Sequence, residues 1–330
     1  MELSNNYAAL EGKIAGWIAS GARDFEGMAM EVFNFQRTAC PEYGRYCEEM
    51  PFPGCWEQIP AVPVEAFRRL AIRSFREQQT IRTFRTSGTT GEGYGEHHFC
   101  SLSLYLQASV RGWLWAGLPV ERVVALMPHP TEMPHSSLSQ MAAWLAPQRR
   151  FVFGNWDVLE EMLRGSPPVV LFGPALAFLS LFEWMGSRRI QLPEGSLAVE
   201  TGGYKGLRKE IPKREFYRMF EERLGLPPDE VWNEYGMTEL SSQFYARGPD
   251  GLHSGGPWTR FLIVDPATGE ELREGEVGVL QIFDAANLGS VAAIRTRDLA
   301  IRQGAEFELI GRDPSALPRG CSRGAEEMLS

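Results

Sequence analysis

The stretch PPVVLFGPALAFLSLFEWM, residues 167–185, contains the longest apolar candidate in a chain of 330 residues, VVLFGPALAFLSLFEWM, and its reading decides the fold. A bilayer span needs about 20 uninterrupted apolar residues, and this run is broken by Gly173 and Pro174. Because those residues punctuate helices, the run reads as a buried strand, PPVVLFG, entering a helix, ALAFLSLFEWM.

The same alternation continues on both sides. Upstream lie an apolar run VVALM (123–127), a helix SLSQMAAWLA (137–146), a strand RRFVFG (149–154) and a helix DVLEEMLRG (157–165). Downstream, LAVETGG (197–203) and VWNEYG (231–236) bracket a helix KREFYRMFEERLG (213–225). Strands alternating with helices predict βαβ units and a parallel sheet covered on both faces. The pattern changes after about residue 245. FLIVD, GEVGVLQIF, AAIRTRDLA and FELIG are β-like and joined by turns such as Pro266-Ala267-Thr268-Gly269. The first eighty residues are helical in pattern, with five prolines between Pro41 and Pro63 that forbid long helices there. The expected organisation is a helical lead-in at 1–80, an α/β core at 81–245, a smaller strand-rich subdomain at 246–311 and a tail at 312–330.

Composition bounds the function classes. With 44% hydrophobic and 23% charged residues the chain is an ordinary folded protein. Its net charge of -9, without a basic run, excludes a nucleic-acid surface, so anionic substrates need local cations. The N-terminus carries Glu2 and Glu11 and no basic start, which does not read as a signal peptide. Five cysteines, odd in number and without a CxxC pair, fit reduced thiols, and the expected location is the cytoplasm.

Two segments carry chemistry. TSGTTGEGYGEHH (86–98) packs Thr86, Ser87, Gly88, Thr89, Thr90 and Gly91 into a loop whose amides and hydroxyls can surround a phosphate. It contains no lysine, which excludes the Walker class; a surface turn is the alternative. NEYGMTELSSQFY (233–245) follows a strand end, where open α/β sheets bind ligands. Tyr235 could stack a base, Thr238 bind a phosphate and Glu239 hold magnesium, a hard cation preferring oxygen. The alternative is a strand-to-helix turn capped by Thr238. His97, His98 and Cys100 suggest a metal, but adjacent strand residues face opposite ways, so both histidines cannot face one ion. His129 and His135 occupy a proline-rich turn that lines an acyl pocket or simply covers the surface.

TSGTTG at 86–91 followed by YGMTE at 235–239 resembles the adenylate-forming superfamily of acyl-CoA synthetases, luciferases and aryl-CoA ligases. ETGGYKG (200–206), NEYGMTELSSQFY and the ending GRDPSALPRGCS resemble more closely the LuxE family of acyl-protein synthetases, from about Ile59 onward. The resemblance implies ATP and magnesium as cofactors. It places Thr86 to Gly91 on the ATP phosphates, Gly202, Gly203 and Tyr204 at the adenine, and Tyr235 with Gly236 beside the base. Thr238 and Glu239 would serve phosphate and magnesium, Asp298 in IRTRDLA the ribose, and Arg312 the ribose or α-phosphate. Arg297 stands where the superfamily's Tyr-Arg-Thr-Gly-Asp segment has glycine, which leaves the reach of Asp298 open. Many superfamily members also place a lysine in the glycine-rich loop, where this chain offers glutamate and histidine. The chain is expected to lack the superfamily's mobile C-terminal domain and its lysine, a truncation the LuxE family shares. Lys205 and Arg208 are the candidate replacement cations, or else a solvated helix start.

Cys321 lies in PRGCSRG, between Arg319 and Arg323, whose charges favour a thiolate. The resemblance implies that it accepts the acyl group and delivers it to an acyl-CoA-reductase-like, LuxC-like partner. Three functions remain open: ATP-dependent acylation of Cys321 with a carboxylic, fatty-type acid; ligation to an external coenzyme A or carrier thiol; and a non-catalytic nucleotide-binding subunit.

Overall fold

The computed structural model describes residues 2–86, 94–202 and 211–312. The chain forms two compact units. One comprises Met1–Gly112, Met237–Ser242 and the described chain from Gly255; the other comprises Trp113–Gly236 and Gln243–Ser254.

The first unit opens with helices because its apolar residues recur at helical spacing. In α1 (Glu2–Ala19), Tyr7, Leu10, Ile14 and Ile18 are buried at steps of three and four. α2 (Phe25–Ala39) begins where the Asp24 carboxylate accepts from Gly27 N at 3.2 Å. α3 (Pro41–Glu48) begins with Pro41 in its first turn, where a missing N–H leaves nothing unsatisfied. Two short strands, β1 (Val62–Pro63) and β2 (Arg82–Arg85), precede β3 (Glu96–Phe99), which pairs antiparallel with β2. The pairing is extended past β2: Thr86 N donates to Gly95 O at 3.0 Å, and Gly95 N donates to Thr86 Oγ1 at 2.9 Å. α4 follows at Ser103–Trp115.

The second unit is a sheet with helical crossovers. In chain order its elements are β4 (Val123–Ala125), α5 (Ser137–Leu145), α6 (Trp156–Leu163), β5 (Val170–Pro174), α7 (Ala175–Met185), β6 (Leu197–Thr201), α8 (Lys213–Leu224), β7 (Val231–Tyr235), β8 (Phe244–Arg247) and β9 (Ser254–Gly255). The strands lie in the order β4-β5-β6-β7-β8-β9. β4 to β7 are parallel, and β8 turns back antiparallel to β7. The stretch at 167–185 is therefore β5 leading directly into α7, with no residue between them. α8 stops at Gly225, whose left-handed φ of 68° suits glycine and returns its N–H to Glu221 and Phe220. Between these helices and the sheet, the Phe220 ring lies 4.9 Å from Phe178, 5.0 Å from Phe182 and 5.0 Å from Phe216.

One expected strand does not form. RRFVFG makes a single bridge, Phe151 to Ala125, after a 3-10 turn at Gln148–Arg150. Pro147 precedes that turn, and Gly154, at φ 72°, diverts the chain toward the Asn155 cap of α6. Too few residues remain to continue a ladder.

The C-terminal strands return to the first unit: β10 (Thr259–Val264), β11 (Val277–Asp284), β12 (Ala293–Gln303) and β13 (Glu306–Arg312). Their order is β1-β12-β11-β10, with β13 also on β12. Neighbours among β10 to β13 are antiparallel, while β1 is parallel to β12, Val62 opposite Ile294 and Pro63 opposite Arg295. The Pro266–Gly269 turn is held by Asp265, whose Oδ1 accepts from Ala267 N and Thr268 N, each at 2.8 Å. The molecule is an α/β protein with a largely parallel sheet and a strand-rich, mainly antiparallel one, as the alternation implied. Among the described residues, no helix is long and apolar enough to cross a membrane.

Phe220 is fully buried. Replacing it with alanine removes the ring that three other phenylalanines touch and is expected to cost about 3–5 kcal/mol, read as a lower urea midpoint with an unchanged slope. A cost below about 1 kcal/mol would mean the aromatic cluster does not hold this unit.

Candidate functional site

In the first unit the two motif segments meet. A Cβ built on Gly95, beside Thr86, would lie 3.1 Å from Thr86 Cγ2 and 3.4 Å from Glu239 Oε1. The stem of the glycine-rich loop and the carboxylate of YGMTE, far apart in sequence, thus share one spot.

The turn that carries Thr238 and Glu239 is not a capped helix start, contrary to the alternative reading. No helix follows, because side chains from elsewhere consume the backbone groups a helix would need. His97 Nδ1 sits 2.8 Å from Thr238 O, and Asn287 Nδ2 donates to Glu239 O at 2.8 Å. Asp284 accepts from Ser241 N at 2.9 Å and from Ser242 Oγ at 2.7 Å. His97 is fully buried, and that burial lowers its pKa to about 4. It is therefore neutral: the bond to a carbonyl requires a proton on Nδ1, so Nε2 accepts from Ser290 Oγ at 3.0 Å. His98 engages a different partner, Thr83 Oγ1, at 2.9 Å, as strand alternation requires.

Glu239 is buried, and desolvation pushes its carboxyl up to about 7, opposed by its own backbone N–H and by the charges of Arg68 and Arg312, with Glu65 adding to the rise. Arg312, exposed at the end of β13, reaches Asp298 Oδ1 on β12 at 3.3 Å. Asp298 and Arg312 are hence brought together in the first unit. Arg297, in the position where glycine was the pattern, pairs with Glu65 at 3.2 Å.

In the second unit, the ends of β6 and β7 form a separate cluster. Thr201 and Glu234 are register partners, and the Thr201 hydroxyl donates to Glu234 Oε2. Glu200 accepts from Asn233 Nδ2 at 2.8 Å and from the Tyr217 hydroxyl at 3.1 Å. Desolvation pushes both carboxyls up to about 7. Gly202 and Gly236 are exposed at the ends of the two strands. A Cβ on Gly236 would stand 2.5 Å from Glu234 Oε1, so a side chain there would displace that carboxylate. Tyr235 is buried, its ring 6.4 Å from Phe244 and 6.1 Å from His253. His129, in its proline-rich turn, packs edge-on to Phe151 at 4.8 Å and binds the Thr131 hydroxyl at 2.9 Å, while His135 is exposed.

Ser87, Gly88, Thr89, Thr90, Gly91, Gly203, Tyr204, Lys205, Arg208 and Cys321 lie outside the described residues. Among the described residues, no group of three or more His, Cys, Asp or Glu is arranged to hold a metal ion. Glu239 with the Thr86 hydroxyl offers oxygen donors only. That fits magnesium held by one carboxylate and completed by substrate phosphates and water.

Sequence reading missed Asp284, Asn287, Arg68, Glu200 and Glu234. The first two carried a usable signal: an acid and an amide inside the apolar run FDAANLGS, where burial demands partners.

A family model described as "Acyl-protein synthetase, LuxE" matches residues 146–330. A curated relative, the long-chain-fatty-acid–luciferin-component ligase of Aliivibrio fischeri, is 22% identical over 325 residues, covering 89% of this chain and 86% of its own. Among solved structures, an open conformation of 2-hydroxyisobutyryl-CoA ligase with 2-HIB-AMP and CoA superposes with a TM-score of 0.67 at 14% identity, over 88% of this chain and 74% of that one. ATP-bound MatB from Rhodopseudomonas palustris gives 0.54 at 16% identity, over 74% of this chain. The chain spans about half the length of MatB and of the ATP-bound MatB chimera. At these identities the likeness establishes the fold.

Below pH 4.5 Glu239 is protonated whether the chain is folded or not; as pH rises to about 7, the unfolded chain ionises first and stability is lost. Glu239→Gln removes this penalty. Its melting temperature relative to the parent should rise between pH 5 and pH 8 by the equivalent of about 1–3 kcal/mol. Scanning calorimetry at the two pH values checks it, and an equal difference at both would contradict the buried, proton-holding carboxyl.

Proposed function

The chain belongs to the acyl-protein synthetase family LuxE, and from that premise we propose that it activates a fatty-type carboxylic acid with ATP, holds the acyl group on Cys321, and hands it to an acyl-CoA-reductase-like partner. The observation that carries this reading is the meeting of Thr86 and Glu239 around Gly95. Two motifs whose joint presence suggested nucleotide chemistry occupy one place.

A carboxylate is a poor acyl donor because its leaving group would be oxide. In the proposed first step a carboxylate oxygen attacks the α-phosphorus of ATP, the bond to the β-phosphate's bridging oxygen breaks, and pyrophosphate leaves. In the second, the Cys321 thiolate attacks the acyl carbonyl, the bond to the phosphate oxygen breaks, and AMP leaves behind a thioester. Thr86, Ser87, Gly88, Thr89, Thr90 and Gly91 would bind the phosphates through hydroxyls and amides. Gly202, Gly203, Tyr204, Tyr235 and Gly236 would border the adenine, Asp298 the ribose, and Arg312 the ribose or α-phosphate, with Thr238 on a phosphate. Glu239 would hold magnesium, whose contribution when bound is to neutralise charge on the phosphate oxygens. Since Glu239 retains its proton up to about pH 7, ion binding there would release it. Residues 312–330 would form the tail that carries the thioester. The four described cysteines, Cys40, Cys47, Cys55 and Cys100, are free thiols, which supports a reducing, cytoplasmic setting.

Two variants test the scheme. Cys321→Ser should keep ATP–pyrophosphate exchange across a panel of fatty acids while losing the acyl mass increment on the intact protein. Undiminished acylation would sink the thioester step, and exchange with direct acylation of added coenzyme A would favour an external thiol. Glu239→Gln should lower exchange roughly a hundredfold or more through lost electrostatic stabilisation; unchanged exchange removes Glu239 from the site.

A further inference from the structure

The glycine-rich loop TSGTTGEGYGEHH contains no lysine, yet a phosphate chain held by amides and hydroxyls still needs cationic charge. We propose that Arg68 is the cation that binds the β- and γ-phosphates of ATP, taking the place of a lysine in that loop. The assignment rests on the adenylation reading above.

The geometry comes from three anchors within the first unit. Arg68 ends a 3-10 turn, Val64–Arg68, that follows β1 directly, and β1 is locked parallel onto β12. Its neighbour Phe67 is fully buried, with its ring edge-on to His97 at 5.8 Å. The same imidazole grips Thr238 O at 2.8 Å. One ring therefore brings together two chain segments, and the next residue on each is the charged one: Arg68 after Phe67, Glu239 after Thr238. Arg68 is half-buried, and its charge bears on the Glu239 carboxyl, which lies against the Thr86 stem of the loop.

The surrounding charges divide the labour. Arg312, the other cation acting on Glu239, holds Asp298, which belongs with the ribose by resemblance. Glu65, three residues before Arg68, is countered by Arg297 at 3.2 Å. The arginine that replaces the superfamily glycine thus ties β12 to the turn that presents Arg68, so the two departures, no loop lysine and Arg297 for glycine, have one explanation. A guanidinium also suits this role, because it is always charged and its planar fork can grip two phosphate oxygens at once.

The test compares ATP with AMP, which lacks the β- and γ-phosphates, by calorimetric titration of the full-length protein. Arg68→Ala should weaken ATP binding by about tenfold or more while AMP binding stays within about twofold, and Arg68→Lys should recover part of the loss. Arg69→Ala, the exposed neighbour, should bind both as the parent does. In pyrophosphate exchange, the KM for ATP should rise in Arg68→Ala. Equal loss of ATP and AMP binding would show a structural role and overturn the proposal. So would unchanged ATP binding in Arg68→Ala, or a loss appearing only in Lys205→Ala or Arg208→Ala; parent exchange would then leave adenylation standing. A parent protein that binds no ATP would overturn both readings, whereas ATP binding without exchange would remove adenylation alone and leave the titration to decide Arg68.

Discussion

The neutral imidazole of His97 is the constraint on which the first unit depends. Buried and unable to hold a second proton near neutral pH, it donates to the Thr238 carbonyl and accepts from the Ser290 hydroxyl. Around it, Asn287 binds the carbonyls of Glu239 and Val291 and accepts from Ser241, while Gln36 of α2 holds the carbonyls of Asn287 and Leu288 and accepts from Ala292 N. A buried carbonyl left without a donor costs about 1–3 kcal/mol. The network spreads that obligation over side chains from an N-terminal helix, a hairpin strand and the loop after β11. In return the 238–242 turn takes a non-helical course that no local preference would select.

That course has an electrostatic consequence. It keeps Glu239 out of water, and an acid kept from water holds its proton. The same physics recurs in the other unit, where Glu200 and Glu234 sit near the ends of β6 and β7 with neutral hydrogen-bond partners, and the charge of Lys213 adds only a lesser pull on Glu200. Such groups destabilise the folded chain as pH rises from about 4.5 to about 7. They concentrate where strands end and a ligand is expected, in keeping with perturbed carboxyls marking sites rather than strengthening folds. Arginines placed nearby moderate the cost at Glu239; in the other unit hydrogen bonds from Thr201, Asn233 and Tyr217 do so.

Where the sequence was legible, local chemistry spoke for itself. The run at 167–185 reads as strand and helix because Gly173-Pro174 ends one pattern and starts another. RRFVFG misled because its apolar residues suit a strand, while Pro147 and Gly154 leave room for one bridge only. The family resemblance rested on motifs spaced along the chain and pointed to Thr86, Glu239, Asp298 and Arg312 as candidates. It was silent on Arg68, whose neighbours Arg69 and Arg73 look equally cationic in one dimension.

From the sequence alone followed the α/β class, the place of the NEYGMTELSSQFY motif just after a strand end and the oxygen-rich character of the nucleotide motifs, because periodicity, turn residues and hydroxyl spacing are local properties. Tertiary structure alone decided that β1 joins the sheet of β12, that His97 stands between Phe67 and Thr238, and that Arg297 meets Glu65. Most of those pairings join residues more than a hundred positions apart. They are set by strand pairing, ring packing, ion pairing and the need of buried polar groups for partners, conditions imposed by the fold and not by neighbouring residues in the chain.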